Sequence, residues 1–206
     1  MKNEFTQPQH YQSFNKQPHP MNILRPVLLS GLLLLAFGFA FPGLVWAVGL
    51  LVPERAAGSA VVVAGKTVGF EQIGQKFMQA RYFHGRPSAV DYNGAATGAS
   101  NTGPTNPALQ AAVQARLDTF LLQNPIIRKE QVPAELVTAS ASGLDPDLSP
   151  IGAAVQAARV AQARQLNPAR VRALIAQHTE LPWLGFMGPA RVNVLRLNLA
   201  LDQIQP

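Results

Sequence analysis

The sequence predicts an α+β domain carried on one N-terminal membrane helix, and three observations predict it. An uncharged apolar run near the N-terminus is long enough to cross a bilayer. The rest of the chain mixes a β-branched hairpin pattern with three helices that open on Asn-Pro or Ser-Pro. It shows no alternating βαβ pattern and no internal repeat.

Residues 1–22 read as a disordered tail, because the first 20 are rich in Gln, Asn, Pro and His and poor in apolar side chains. His10 and His19 lie there without ligand spacing. Met21 opens a compact stretch, MNILRP, and is an alternative start. Residues 23–52 form the anchor. No charged residue occurs between Pro26 and Pro53, and the 26 residues Val27–Val52 exceed the ~20 that a bilayer core requires. A cleaved signal peptide has an apolar region of about 7–15 residues and a small-x-small cleavage site; this run is longer and Trp46–Gly49 is a poor site. Pro42-Gly43 is a candidate kink, and Gly31, Gly38, Gly43 and Gly49 leave thin places where another helix can approach. Lys2, Lys16 and Arg25 precede the run against Glu4, whereas Arg55 and Lys66 follow it against Glu54 and Glu71. This bias orients the N-terminus to the cytoplasm and residues 53–206 outside it.

Residues 53–206 suit one small domain. They carry 14 Lys plus Arg against 10 Asp plus Glu, a net +4 that is too mild and too scattered to mark a nucleic-acid surface. The whole chain lacks cysteine, which excludes disulfides and thiolate metal sites. Ser59–Phe70 reads as a β-hairpin turning at Ala64-Gly65-Lys66, followed by a short helix over Glu71–Gln79. His84–Asn106 is a long polar loop rich in Gly, Asn, Ser and Thr, a length that marks functional loops. Asn106-Pro107 opens a helix to about Leu122 with Leu109, Val113, Leu117 and Phe120 on one face. Ser149-Pro150 opens a second to about Arg164, and Asn167-Pro168 a third to about His178. Val132–Pro150 reads as an ordered loop. Arg191–Asp202 reads as a strand pairing with the early hairpin.

Two motifs invite chemical readings that their context denies. Ala60–Thr67, AVVVAGKT, fits a loose P-loop, but its intervening Val-Val-Val-Ala prefers extended structure and no helix start follows Lys66. Asp145 and Asp147 resemble the opening of a calcium loop, yet the sixth-position glycine and the closing glutamate are missing. His84 and His178 stand alone. The chain has neither a G-x-S-x-G elbow nor the D-K-T-G-T motif of P-type pumps, so no autonomous enzyme is indicated.

Five blocks of sequence do point to a family. YFHGRPS (Tyr82–Ser88), TGASNTGPTNPAL (Thr97–Leu109), VPAELVTASASGLDPDLSP (Val132–Pro150), QAARVAQAR (Gln156–Arg164) and RVNVLRLNLALD (Arg191–Asp202) are similar to signature blocks of the C subunit of the bacterial potassium-transporting P-type ATPase, the Kdp complex. The similarity runs in order from Met21 onward. Departures are Gly98-Ala99 where the family usually has paired glycines, Asp147 where His or Asn is common, and the extra tail.

The resemblance implies a non-catalytic subunit of the bacterial inner membrane. Its partners would be a channel-like potassium-binding subunit, a P-type ATP-hydrolysing subunit and membrane lipid. It implies no tightly bound cofactor, with ATP reached through the catalytic subunit and Gln156 in the place of a glutamine proposed to touch nucleotide. Within the polar loop, Arg86 and Asn101 are the expected residues that fix one shape for docking on the potassium-binding subunit. The alternative is a self-sufficient, membrane-anchored exported enzyme or binding protein.

Overall fold

The apolar run folds as a helix from Leu24 to Leu51, 28 residues that are long and apolar enough to cross a membrane. It is built from α1 (Leu24–Leu35), a wider turn over Ala36–Ala40, and α2 (Phe41–Leu51). In that turn the Phe41 N–H donates to the Ala36 carbonyl five residues back. Proline has no N–H to continue the ladder, and Pro42 sits in the first turn of α2. The widened turn just before it accommodates the lost bond without ending the helix. The structure, a computed structural model, describes residues 23–204. The expected tail over residues 1–22 lies outside the described residues.

The chain separates into two compact units at Val52–Pro53. The second unit begins with the single turn α3 (Pro53–Ala56) and the hairpin β1 (Ala60–Val63) and β2 (Lys66–Phe70). Ala64 and Gly65 make the turn with φ of 50° and 75°, as a tight hairpin requires. Lys66 is thus the first residue of a strand, paired with Val63, and no phosphate loop forms around it.

Glu71–Gln79 is not the short helix expected there. Gly74 explains why. Its N–H donates to the Leu144 carbonyl at 2.7 Å. A Cβ there would come within 2.4 Å of the Asp145 carbonyl oxygen. The segment is held against residues 144–145 by an approach that only glycine permits.

The helices behave as their caps predict at the N-termini. α4 (Pro107–Gln123), α5 (Pro150–Ala154) and α7 (Pro168–Gln177) each have proline in the first turn. The side chains of Asn106, Ser149 and Asn167 accept from Ala108, Gly152 and Ala169 N–H groups. The helix expected to run unbroken to Arg164 is interrupted instead. α5 ends at Ala154 and α6 spans Ala157–Arg164. The Gln156 N–H bonds the Ala153 carbonyl, three residues back, which frees the Gly152 carbonyl; the Gln156 side chain takes it at 3.1 Å.

The C-terminal expectation also needs correction. Only Arg191–Asn193 is a strand, β5, and Val194–Asp202 is a helix, α8. β5 is the centre of a three-stranded antiparallel sheet, between β3 (Asp147–Leu148) and β4 (Thr179–Glu180), and does not join the early hairpin. The Asn193 side chain caps α8 by accepting from Arg196 N–H at 3.0 Å. The core gathers Phe83, Leu148, Val160, Val171, Val192, Leu197 and Leu201 from the loop, the sheet and α6–α8. The fold class is the α+β one that the sequence predicts.

Candidate functional site

The polar side chains of the second unit converge on one stretch of irregular backbone, Ala80–His84. No strand pairs with it, so its N–H and C=O groups need partners from elsewhere. Two amide side chains supply them. Asn198 of α8 accepts from the Phe83 N–H at 2.8 Å and donates to the Phe83 carbonyl at 3.0 Å. Gln156 accepts from the His84 N–H at 2.9 Å and donates to the His84 carbonyl at 3.0 Å. A primary amide carries the same donor and acceptor as a peptide group, so the pair substitutes for a neighbouring strand.

Two arginines of α6 complete the clamp. Arg159 donates to the carbonyls of Ala80 at 2.6 Å and Tyr82 at 3.0 Å, and also to Gln156 Oε1 and Asn124 Oδ1. Arg164 donates to the Arg81 and Leu201 carbonyls and to Asp202 at 2.7 Å. Its guanidinium lies 4.9 Å from the centre of the Tyr82 ring, whose hydroxyl donates to Asp202. Five consecutive residues are therefore held through their backbones. Gln156 and Asn198 are 0% and 1% exposed. Burial lowers the Arg159 pKa to about 10, which leaves it a cation at neutral pH. Burial and the Arg159 charge also hold the His84 imidazole below its usual range, against the opposing effect of the hydrogen bond it donates to the Gln79 carbonyl.

Beside the clamp lies a largely apolar groove of about 400 Å³, lined by Phe77, Met78, Tyr92, Phe120 and Leu136 with Gln156 at its floor. Lys76 at its rim is paired with Asp91, and Arg116 donates to the Val137 carbonyl.

The polar loop is tied down at its start and exposed further along. Arg86 pairs with Asp145 at 2.8 Å, both side chains half-buried, while its Nε is buried without a hydrogen-bond partner. The Tyr92 hydroxyl donates to the Arg86 carbonyl, and Ser88 Oγ accepts from the Val90 and Tyr92 N–H groups. Asn101 is exposed, with φ of 50°. No hydrogen bond joins Arg86 to Asn101 among the described residues. Gln156 is apart from both, in the clamp. Asp145 and Asp147 have cationic partners, Arg86 and Arg191, and the Asp147 N–H closes a turn on Asp145 Oδ1 at 3.1 Å. Among the described residues no group of three or more His, Asp and Glu could hold a metal.

Sequence reasoning passed over Arg159, Arg164 and Asn198. Asn198 carried a usable signal: with Val194, Leu197 and Leu201 it falls on one helical stripe, and a polar residue in a buried stripe needs a partner. Nothing in AARVAQAR distinguishes the buried Arg159 from an exposed one.

Fold and site together define a membrane-associated protein in which one apolar helix precedes a single α+β domain braced from within. A family model described as "KdpC: K+-transporting ATPase, c chain" matches residues 23–203, and the chain belongs to that family. It is 52% identical over 190 residues to the potassium-transporting ATPase KdpC subunit of Polaromonas naphthalenivorans, covering 90% of this chain and 96% of that protein. It is 51% identical to the KdpC subunit of Variovorax paradoxus over 88% of this chain and 96% of that one. The KdpC subunit of Flavobacterium psychrophilum is 44% identical over 89% and 99%. The expected family is therefore the right one, and the chain is an accessory subunit of the Kdp potassium pump. The sequence blocks Tyr82–Ser88, Gln156–Arg164 and Arg191–Asp202 that carried the resemblance are the three that build the clamp.

Proposed function

We propose that the chain is a non-catalytic subunit that spans the membrane once, N-terminus inside, and assembles with a potassium-binding subunit and an ATP-hydrolysing subunit. One observation carries this reading: Gln156, Arg159, Arg164 and Asn198, the polar side chains that converge in the domain, are turned onto the chain's own backbone and form no reacting constellation. ATP then enters through the catalytic subunit. Gln156 reaches nucleotide only by leaving the clamp, so it serves the complex through the stability of the domain and not through contact with ATP. The loop of residues 84–106 is the docking element, with the Arg86–Asp145 pair fixing its start and Asn101 on its exposed part as a contact to the potassium-binding subunit.

The tagged chain should recover two larger membrane proteins from detergent-solubilised membranes. Arg86→Ala should weaken that recovery while costing the domain only about 1 kcal/mol, the order expected for one half-buried ion pair. That corresponds to roughly 2–4 °C in melting temperature. A large drop in melting, with recovery restored simply by cooling, would instead make Arg86 a stability residue alone. Potassium-stimulated ATP hydrolysis by the purified chain on its own would overturn the non-catalytic reading.

Orientation has its own test. An alkaline phosphatase fused after Pro206 should be active in cells, because the charge bias exports that end. An inactive phosphatase fusion with a fluorescent cytoplasmic one reverses the topology.

A further inference from the structure

The sheet's β4–β5 hairpin carries a feature that the clamp does not use. Its loop, residues 181–190, reads Leu-Pro-Trp-Leu-Gly-Phe-Met-Gly-Pro-Ala, with the Trp183 indole N–H as the sole polar side-chain group. Leu181, Trp183, Leu184 and Phe186 are 66–79% exposed. Soluble surfaces rarely concentrate large apolar side chains in this way. The loop is built rather than slack. Trp183 and Met187 exchange backbone hydrogen bonds at 3.0 and 2.9 Å, and the Gly185 N–H closes on the Pro182 carbonyl. Leu184 and Gly185 turn the chain with φ of 52° and 81°.

The base of this hairpin opens on a polar cavity of about 680 Å³, whose lining includes Glu180 and Arg191 together with Arg55, Ser59, Glu71 and Arg196. Arg55 follows Leu51, the last residue of the apolar helix, by four positions in the sequence. A hairpin of five residues out and five back reaches up to about 16 Å.

We propose that residues 181–188 are a second membrane contact, which sets Trp183, Leu184 and Phe186 into the bilayer interface. This rests on reading Leu24–Leu51 as a membrane span. A lipid surface fits better than a protein partner. Protein interfaces carry about one hydrogen bond per 100–200 Å² and a polar rim, and this loop has one side-chain donor to offer. An indole beside aliphatic side chains, with Arg191 at the loop's base, is the composition found at the level of lipid head groups.

The chain's lack of cysteine permits a clean test. Phe186→Cys in the full-length chain takes a single nitroxide, and Thr105→Cys, on the exposed polar loop, is the control. Each is reconstituted into vesicles of zwitterionic phospholipid with a minor share of anionic lipid. At Phe186→Cys the nitroxide should be relaxed more by oxygen than by a water-soluble nickel chelate, the reverse of the order at Thr105→Cys. An accessibility ratio equal to that of the control overturns the proposal. So does a label that is wet in vesicles and becomes dry only when the other pump subunits are added, which assigns the loop to a protein interface. Flotation of the vesicles separates the two readings. Protein that floats with a wet Phe186→Cys label leaves the span intact and removes the loop contact, whereas protein that fails to float removes both.

Discussion

Gln156→Leu is expected to destabilise the α+β domain by about 3–5 kcal/mol. The side chain is fully buried and bonds four groups: the His84 N–H, the His84 carbonyl, the Gly152 carbonyl and the Arg159 guanidinium. Leucine has a similar size and none of that bonding. Each buried polar group left without a partner costs about 1–3 kcal/mol, and relaxation of the clamp recovers part of the sum. At about 2–4 °C per kcal/mol the detergent-solubilised chain should melt roughly 10 °C earlier, read by circular dichroism. The same variant separates two roles for this residue. If Gln156 acts through the domain, the ATP concentration for half-maximal hydrolysis by whatever complex still assembles is unchanged, and the yield of complex falls. A variant that melts as the parent does, yet requires more ATP, would show that the side chain meets nucleotide directly.

The helix starts were legible because a cap is a local event. Asn-Pro and Ser-Pro supply an acceptor and a missing donor within two residues, and at Asn106, Ser149 and Asn167 the structure uses them as expected. The hairpin was legible for a similar reason, since a β-branched run and a turn that tolerates positive φ are neighbours in sequence. The misread elements are those decided by distant contacts. Ile73 and Phe77 stand at helical spacing, but Gly74 is pressed against the backbone of residues 144–145, about 70 positions away. Arg191–Asp202 alternates apolar residues with a period of two over most of its length, and Leu197 and Leu201 also fit a period of four. The Asn193 cap, together with a core waiting on one side only, selects the helix.

Membership of the family was legible from the blocks, but the reason for them was not. The sequence sets Tyr82, Gln156 and Asn198 far apart, and only the fold shows Gln156 and Asn198 clamping adjoining residues of the same irregular segment. An unbroken helix from Ser149-Pro150 to Arg164 gives no reason for Gln156 to be buried. The break at Val155–Gln156 turns its amide inward.

Arg159→Met should be about as damaging as Gln156→Leu, again by about 3–5 kcal/mol, and the reason lies in what it leaves behind. Arg159 has no carboxylate among its hydrogen-bond partners; it faces two backbone carbonyls and two amide oxygens, all acceptors. A cation with no counter-ion is a costly thing to bury, and burial does pull its pKa down to about 10. The arrangement holds because five N–H donors in a planar fork meet four acceptors that have few other donors to hand. Methionine fills much of the volume but strands the Ala80 and Tyr82 carbonyls and takes one donor from Gln156 Oε1. Arg159→Lys is the sharper variant. It keeps the charge, but a single ammonium cannot span the fork, so it should recover less than half of the lost stability in urea unfolding of the full-length chain. Equal stability of Arg159→Lys and the parent would mean that charge alone, and not the shape of the guanidinium, holds Ala80–His84 in place.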